Sequence, residues 1–176
     1  MPRTLNRGPQ GGTASEGRIN IYPSQASSPS SPSPENGDLY FNTSVREWFY
    51  YDQPRTAWLT TSSFSLSAGR NGNVTAGSFF RGINGMLLDA TNRGMSVPQG
   101  TVVGLSATKT STAASDIEVL VNGVVVTTFT LGGSPGSTES FTLSDNFPQG
   151  VLSFRNAAGG ATVRNVQIVL WYKRRA

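Results

Sequence analysis

The chain contains no cysteine and no histidine. The first absence excludes a disulfide framework and thiolate nucleophiles. The second removes imidazole acid–base chemistry, and together they exclude Cys- or His-ligated metal sites and the Ser-His-Asp and Cys-His triads. Charge is also scarce, at 14 % of residues against about 25 % in an ordinary soluble domain. No apolar run approaches the ~18 residues of a membrane-spanning helix. The opening MPRTLNRGPQGG lacks the apolar stretch of a signal peptide. The expectation is a protein made in a cytoplasm that engages no membrane. The net charge of +4 is thinly spread, with Arg3, Arg7 and Arg18 near the start and Lys173, Arg174 and Arg175 at the end. Nucleic-acid binders concentrate basic residues on one face among aromatics, so nucleic acid is not an expected partner.

What the chain has instead is turn formers and small polar residues. Its 176 residues include 20 Gly, 10 Pro, 22 Ser, 18 Thr and 12 Asn, with a hydrophobic share of 36 %. Residues 1–37 end in PSQASSPSSPSPENG, whose four prolines (Pro23, Pro29, Pro32, Pro34) remove backbone donors and favour polyproline II or an unstructured segment. One apolar island, Ile19, Ile21 and Tyr22, precedes that run. It reads as a short strand that docks on a partner, with burial repaying the cost of ordering the arm.

Residues 38–61 form an aromatic module. DLYFNT, REWFYYD and TAWLTT are three short strands holding Tyr40, Phe41, Trp48, Phe49, Tyr50, Tyr51 and Trp58. Such rings either fill a small hairpin core or, where exposed, stack on sugars. Tyr40, Trp48, Tyr50 and Trp58 are the module's candidate residues.

Residues 62–176 read as a β-sandwich. Asn122-Gly123 between two β-branched runs predicts a type I′ hairpin over 116–131. A two-residue loop sets Val121 opposite Val124, Val119 opposite Val126 and Ile117 opposite Thr128, with Ile117, Val119, Val121, Val124 and Val126 on the core face. The Gly-rich pieces GRNGN (69–73), GGSPG (132–136) and AAGG (157–160) lack a P-loop lysine and read as turns. MLLDATNRGM (86–95) has room for one helical turn. The final strand, 162–175, has five apolar residues in succession at 168–172. That run implies cover on both faces. Either a loop of the same chain or another subunit supplies it, and Val169 and Trp171 are the candidate interface residues.

Ten acids are present, and no spacing singles out a catalytic pair. Asp116 and Glu118 read as solvent-facing, while Asp38 and Asp52 bracket the aromatic hairpin and suit turn capping. No D-x-D-x-D-G calcium loop occurs. The expectation is a protein without catalytic residues, cofactor or metal.

The segment ENGDLYFNTSVREWFYYDQPRTAWLT (35–60) resembles the "GDLYFNT…WFYYD…R…WL" segments of tailed-phage virion proteins, found in head-decoration, head-fibre and tail-fibre chains. The C-terminal half, DIEVLVNG…GVLSFRNAAGGATVRNVQIVLWYKRR, looks like the trimeric jelly rolls of phage decoration proteins and fibre heads, similar in outline to tumour-necrosis-factor-like heads. The resemblance covers about 26 of the 176 residues by motif and the C-terminal half by pattern. It implies a homotrimeric, non-enzymatic protein on the outer surface of the virion, bound to the major capsid protein through its N-terminal arm. No residues carry over one by one beyond the aromatic hairpin, and the arm residues Ile19, Ile21 and Tyr22 and the interface residues Val169 and Trp171 rest on the reading of the sequence itself. The chain is short for a tail fibre, which has a shaft. The alternative is a tail-fibre or baseplate module that binds a host-surface glycan. The fold expected on either reading is all-β, an antiparallel sandwich or jelly roll preceded by an extended arm (1–37) and the aromatic hairpin module (38–61).

Overall fold

A computed structural model describes residues 3–5, 19–31 and 33–176. These form two compact units, one from the described residues up to Ser62 with Arg174–Ala176, the other from Ser63–Lys173. Among the described residues strands dominate, and the only helical piece is a single 3-10 turn, Gln53–Arg55.

The first unit is a five-stranded sheet of β1 (Arg3–Leu5), β2 (Ile19–Ile21), β3 (Leu39–Asn42), β4 (Glu47–Asp52) and β5 (Ala57–Thr60), in that order across the sheet. Its pairs are antiparallel except β2–β3, which run parallel through Ile21 and Leu39. Side-chain caps close the two hairpins. Asn42 Oδ1 accepts from the Ser44 and Val45 amides, letting the chain reverse through Arg46 at a φ of 56°. Asp52 accepts from the Arg55 amide and guanidinium at 3.2 and 2.8 Å and so caps the 3-10 turn. Tyr22, Tyr40, Phe49 and Trp58 make the core of this unit, with Tyr51 packed against it. Trp58 meets Tyr22, Tyr40 and Tyr51 edge-on at centroid distances of 5.6, 4.9 and 5.3 Å, a favoured ring geometry. The C-terminal residues lace onto β5. Leu59 bridges Arg175, and Arg174 reaches the Glu47 carboxylate at 3.0 Å.

The Ser/Pro segment departs from the sequence expectation. Residues 19–31 and 33–37 are built into this unit, and Tyr22, expected to contact a partner, is only 4 % exposed. Pro32 lies outside the described residues. Three devices hold the segment. The Tyr22 and Gln25 amides donate to the Leu39 and Phe41 carbonyls, extending the parallel pairing with β3. The Trp58 indole donates to the Pro29 carbonyl at 3.1 Å, and Pro29 is buried. Buried Asp38 accepts from the Asn20 amide at 2.8 Å and the Glu35 amide at 2.9 Å, clipping both ends of the loop. Proline removes a donor but leaves its carbonyl, and that of Pro29 accepts a hydrogen bond that the composition had hidden.

The second unit holds β6 (Phe64–Val74), β7 (Arg81–Gly82), β8 (Met95–Val97), β9 (Gly100–Lys109), β10 (Ser115–Val121), β11 (Val124–Leu131), β12 (Gly136–Ser140), β13 (Asn146–Phe147), β14 (Gly150–Asn156) and β15 (Val163–Arg174). One sheet has the order β11-β10-β14-β8. The larger has β12-β9-β15-β6-β7, with β13 also on β9. Without the two-residue strands β7 and β13, eight strands remain. Counted along the chain they pair antiparallel as first with eighth, second with seventh, third with sixth and fourth with fifth. That nesting of pairs is a jelly roll: one long hairpin rolled into two facing sheets. The core between them includes Val74, Phe80, Leu105, Ile117, Val119, Phe129, Leu152, Phe154, Ile168 and Leu170.

Three local expectations need correction. The 115–131 hairpin turns at Asn122-Gly123 with φ of 50° and 81°, as a type I′ turn requires. However, a bulge at Val126 shifts the register, so Val119 faces Thr127 and Ile117 faces Phe129. Phe129 and Leu131 therefore enter the core, while Val124, at the hairpin tip, is 66 % exposed. GRNGN is no turn but part of β6. There a Cβ on Gly69 would lie 2.9 Å from the Val166 carbonyl oxygen, so glycine permits the close approach of β15. Residues 86–95 make no helical turn. Asp89 accepts from the Thr91, Asn92 and Arg93 amides and pairs with the Arg93 guanidinium, curling the segment around one carboxylate. The Arg93 amide first, with the other donors, holds that carboxyl well below the usual range.

Candidate functional surfaces

The first unit presents two faces. Its inner face is occupied by its own core, which takes up two of the four aromatic candidates: Tyr40 is fully buried and Trp58 is 6 % exposed. The other two, Trp48 and Tyr50, alternate with buried Phe49 along β4 and face outward. Trp48 is 46 % exposed and meets Phe41 edge-on at 5.5 Å across the β3–β4 pair. Tyr50 is half-buried and donates to the Asp52 carboxylate at 3.1 Å. Burial, then that neighbouring charge, pushes the Tyr50 phenol up to about 12. Of the expected arm residues, Ile19 and Ile21 are half-buried within β2 and Tyr22 is in the core.

The second unit carries its candidate surface on the outer face of the larger sheet. Along β15, Val166, Ile168, Leu170 and Tyr172 point into the core, so Gln167, Val169 and Trp171 point away from it. Val169 and Trp171 are each half-buried without any second chain. Cover for Trp171 comes partly from Phe141, whose ring lies 5.3 Å away and itself remains 55 % exposed. Gly104 makes room for it, since a Cβ there would lie 2.6 Å from the Phe141 ring. Toward the opposite edge the outer-face partners of β15 are small: Ser67 sits opposite Val169 and Gly69 opposite Gln167. This leaves a shallow groove of about 760 Å³, whose lining includes Val169, Gln167, Gly69, Arg81 and Ile83. Ile83, in the turn after β7, is 80 % exposed. Arg81 donates to the Gly85 carbonyl at 2.7 Å and faces no carboxylate among the described residues.

The structure thus brings Val169 and Trp171 onto one surface, and it divides the aromatic candidates between a core and an outward-facing pair, of which Trp48 is exposed and Tyr50 half-buried. The sequence reading missed Phe141, Arg81 and Ile83. Its available signal was the alternation Phe64-Ser65-Leu66-Ser67-Ala68-Gly69, apolar inward and small outward, which marks a β6 face stripped of side chains. Several of the acids serve structure. Glu118 pairs with Arg155 at 2.6 Å, Asp116 accepts from Thr130, and Asp52 caps a turn. Among the described residues no group of three Asp or Glu converges on a metal-sized site, and no helix is long and apolar enough to cross a membrane. The chain matches no protein-family model and no curated protein.

Proposed function

We propose that the chain is a phage capsid decoration protein, a cement or short head-fibre protein. It binds the assembled shell of major capsid protein as a homotrimer on the outer surface of the virion and runs no reaction. The observation carrying this reading is the outer face of the jelly roll's larger sheet, where Val169, Trp171 and Phe141 leave apolar surface partly exposed beside a groove. A rigid jelly roll joined to a second compact unit suits a fastener, because stabilising a shell requires area and rigidity. Ligands that bind only the assembled state shift it by mass action, and three linked copies add effective concentration. Tyr22 is engaged within its own unit, so the anchor is assigned to the outward face of the N-terminal module, where Trp48 is exposed.

The test has two arms. Light scattering of the full chain gives three times 18.7 kDa. Co-sedimentation with capsids from the encoding phage retains the wild-type protein, while Trp48→Ala loses about tenfold in affinity, as expected for an aromatic anchor. Failure to bind shells overturns the reading. Exposed Trp48, with Phe41 against its edge, also favours a second reading, a glycan-binding module of a tail fibre or baseplate. Glycan-array binding abolished by Trp48→Ala, together with no shell binding, selects it.

A further inference from the structure

The outer face of the larger sheet ends in two different edges, and their chemistries match. At one edge β12 carries Glu139, exposed and accepting from the Ser106 hydroxyl at 3.3 Å. Phe141 follows two residues later and is 55 % exposed. At the other edge β7 carries Arg81, and Ile83 follows two residues later, 80 % exposed, at the rim of the groove that Val169 also lines. Each edge thus presents a charge and an apolar side chain spaced i, i+2, with opposite signs on the two edges.

We propose that the groove's occupant is a second copy of this chain: the Glu139–Phe141 edge of one protomer seats in the Arg81–Ile83–Val169 groove of the next, Glu139 pairing with Arg81. The patches differ, so the contact is head-to-tail, and such a contact closes into a ring when its rotation allows. The inference rests on the homotrimer reading above and adds the residues that set its direction. Phe141 keeps its own stacking on Trp171, so the strip enters the interface already positioned. Polar complementarity at the edges fixes register, and the apolar side chains between them supply the buried area.

The experiment compares the full-length wild type with Glu139→Arg, Arg81→Glu and the double charge reversal. Light scattering follows mass against concentration, and circular dichroism checks that each variant is folded. Both positions are exposed, so the folds persist. Each single reversal sets like charges face to face and raises the dissociation constant about 100-fold, and the double reversal recovers most of the loss. Single variants that stay trimeric, or a double variant as dissociated as the singles, overturn the pairing while leaving a trimer in place. A monomeric wild type overturns both the pairing and the homotrimer, and a monomer that binds polygalacturonate through Arg81 does the same by giving the groove to an acidic saccharide.

Discussion

Asp38 is the residue on which the order of the Ser/Pro segment depends most. Its side chain is fully buried. One oxygen accepts from the Asn20 amide at 2.8 Å and the Asn20 side chain at 3.1 Å, and the other accepts from the Glu35 amide at 2.9 Å. The Tyr22 hydroxyl also bonds to this carboxylate. Asp38→Ala removes every one of these acceptors at once. An orphaned donor costs about 1–3 kcal/mol, but these are partly buried and water relieves part of that penalty. Releasing a buried charge gives some back as well. Two backbone amides near the low end leave a net loss of about 2–3 kcal/mol. The loss is local, so hydrogen exchange is the appropriate assay. Exchange at the Asn20 and Glu35 amides should accelerate about 30- to 150-fold, while jelly-roll amides such as Val119 stay unchanged. Asp38→Asn keeps one oxygen acceptor and should show a smaller acceleration. Unaltered exchange at Asn20 and Glu35 in Asp38→Ala would refute the clip and assign the segment's order to Tyr22 and Pro29 packing alone.

Two further substitutions test the ionisable and buried polar groups. The Tyr50 phenol is raised in the folded state to about 12, above the ordinary value of 10, so its stabilising contribution is complete below pH 10 and declines as pH climbs toward 12. An absorbance titration should show one phenol ionising near 12, and Tyr50→Phe should flatten the alkaline loss of stability in the first unit; an unchanged slope would refute the assignment. Ser153 is fully buried in β14 opposite Leu120, and its hydroxyl has no hydrogen-bond partner among the described residues. Ser153→Ala should therefore raise the stability of the second unit by about 1 kcal/mol in denaturant melts, and a loss of similar size would show that the hydroxyl is satisfied.

The features legible in the sequence were those encoded by near neighbours. Asn122-Gly123 announces its turn because only a few residue types tolerate positive φ at both positions, and the structure has that conformation. The three aromatic strands were legible because bulky β-formers alternate over a few residues between capping side chains. The bulge at Val126 was not legible. In Val124-Val125-Val126 each residue suits either face equally, and the choice falls to Phe129 and Leu131 seeking the core further along the strand. The order of the Ser/Pro segment was invisible for a related reason. It depends on an indole 29 residues away reaching the Pro29 carbonyl and on a carboxylate 18 residues from Asn20, and composition carries no trace of either.

The surface of the jelly roll extends the same lesson. Five apolar residues in succession at 168–172 implied cover on both sides of β15; the structure buries the inner side and covers the outer side only in part. Phe141 reaches over Trp171 from the sequence just after β12, whereas Ser67 and Gly69 leave the neighbourhood of Val169 open. A chain needing only its own fold would gain by filling that groove, since each buried methylene contributes about 0.8 kcal/mol. Small residues at 67 and 69 forgo that gain, and at 69 the close approach of the Val166 carbonyl accounts for the choice. Ser67 lines the groove directly, so a larger side chain there projects into it. Ser67→Leu therefore separates the two origins of the groove. If the space exists for a neighbouring protomer, the substitution stabilises the isolated jelly roll slightly and weakens trimer assembly, a combination that a merely unfilled surface would not produce.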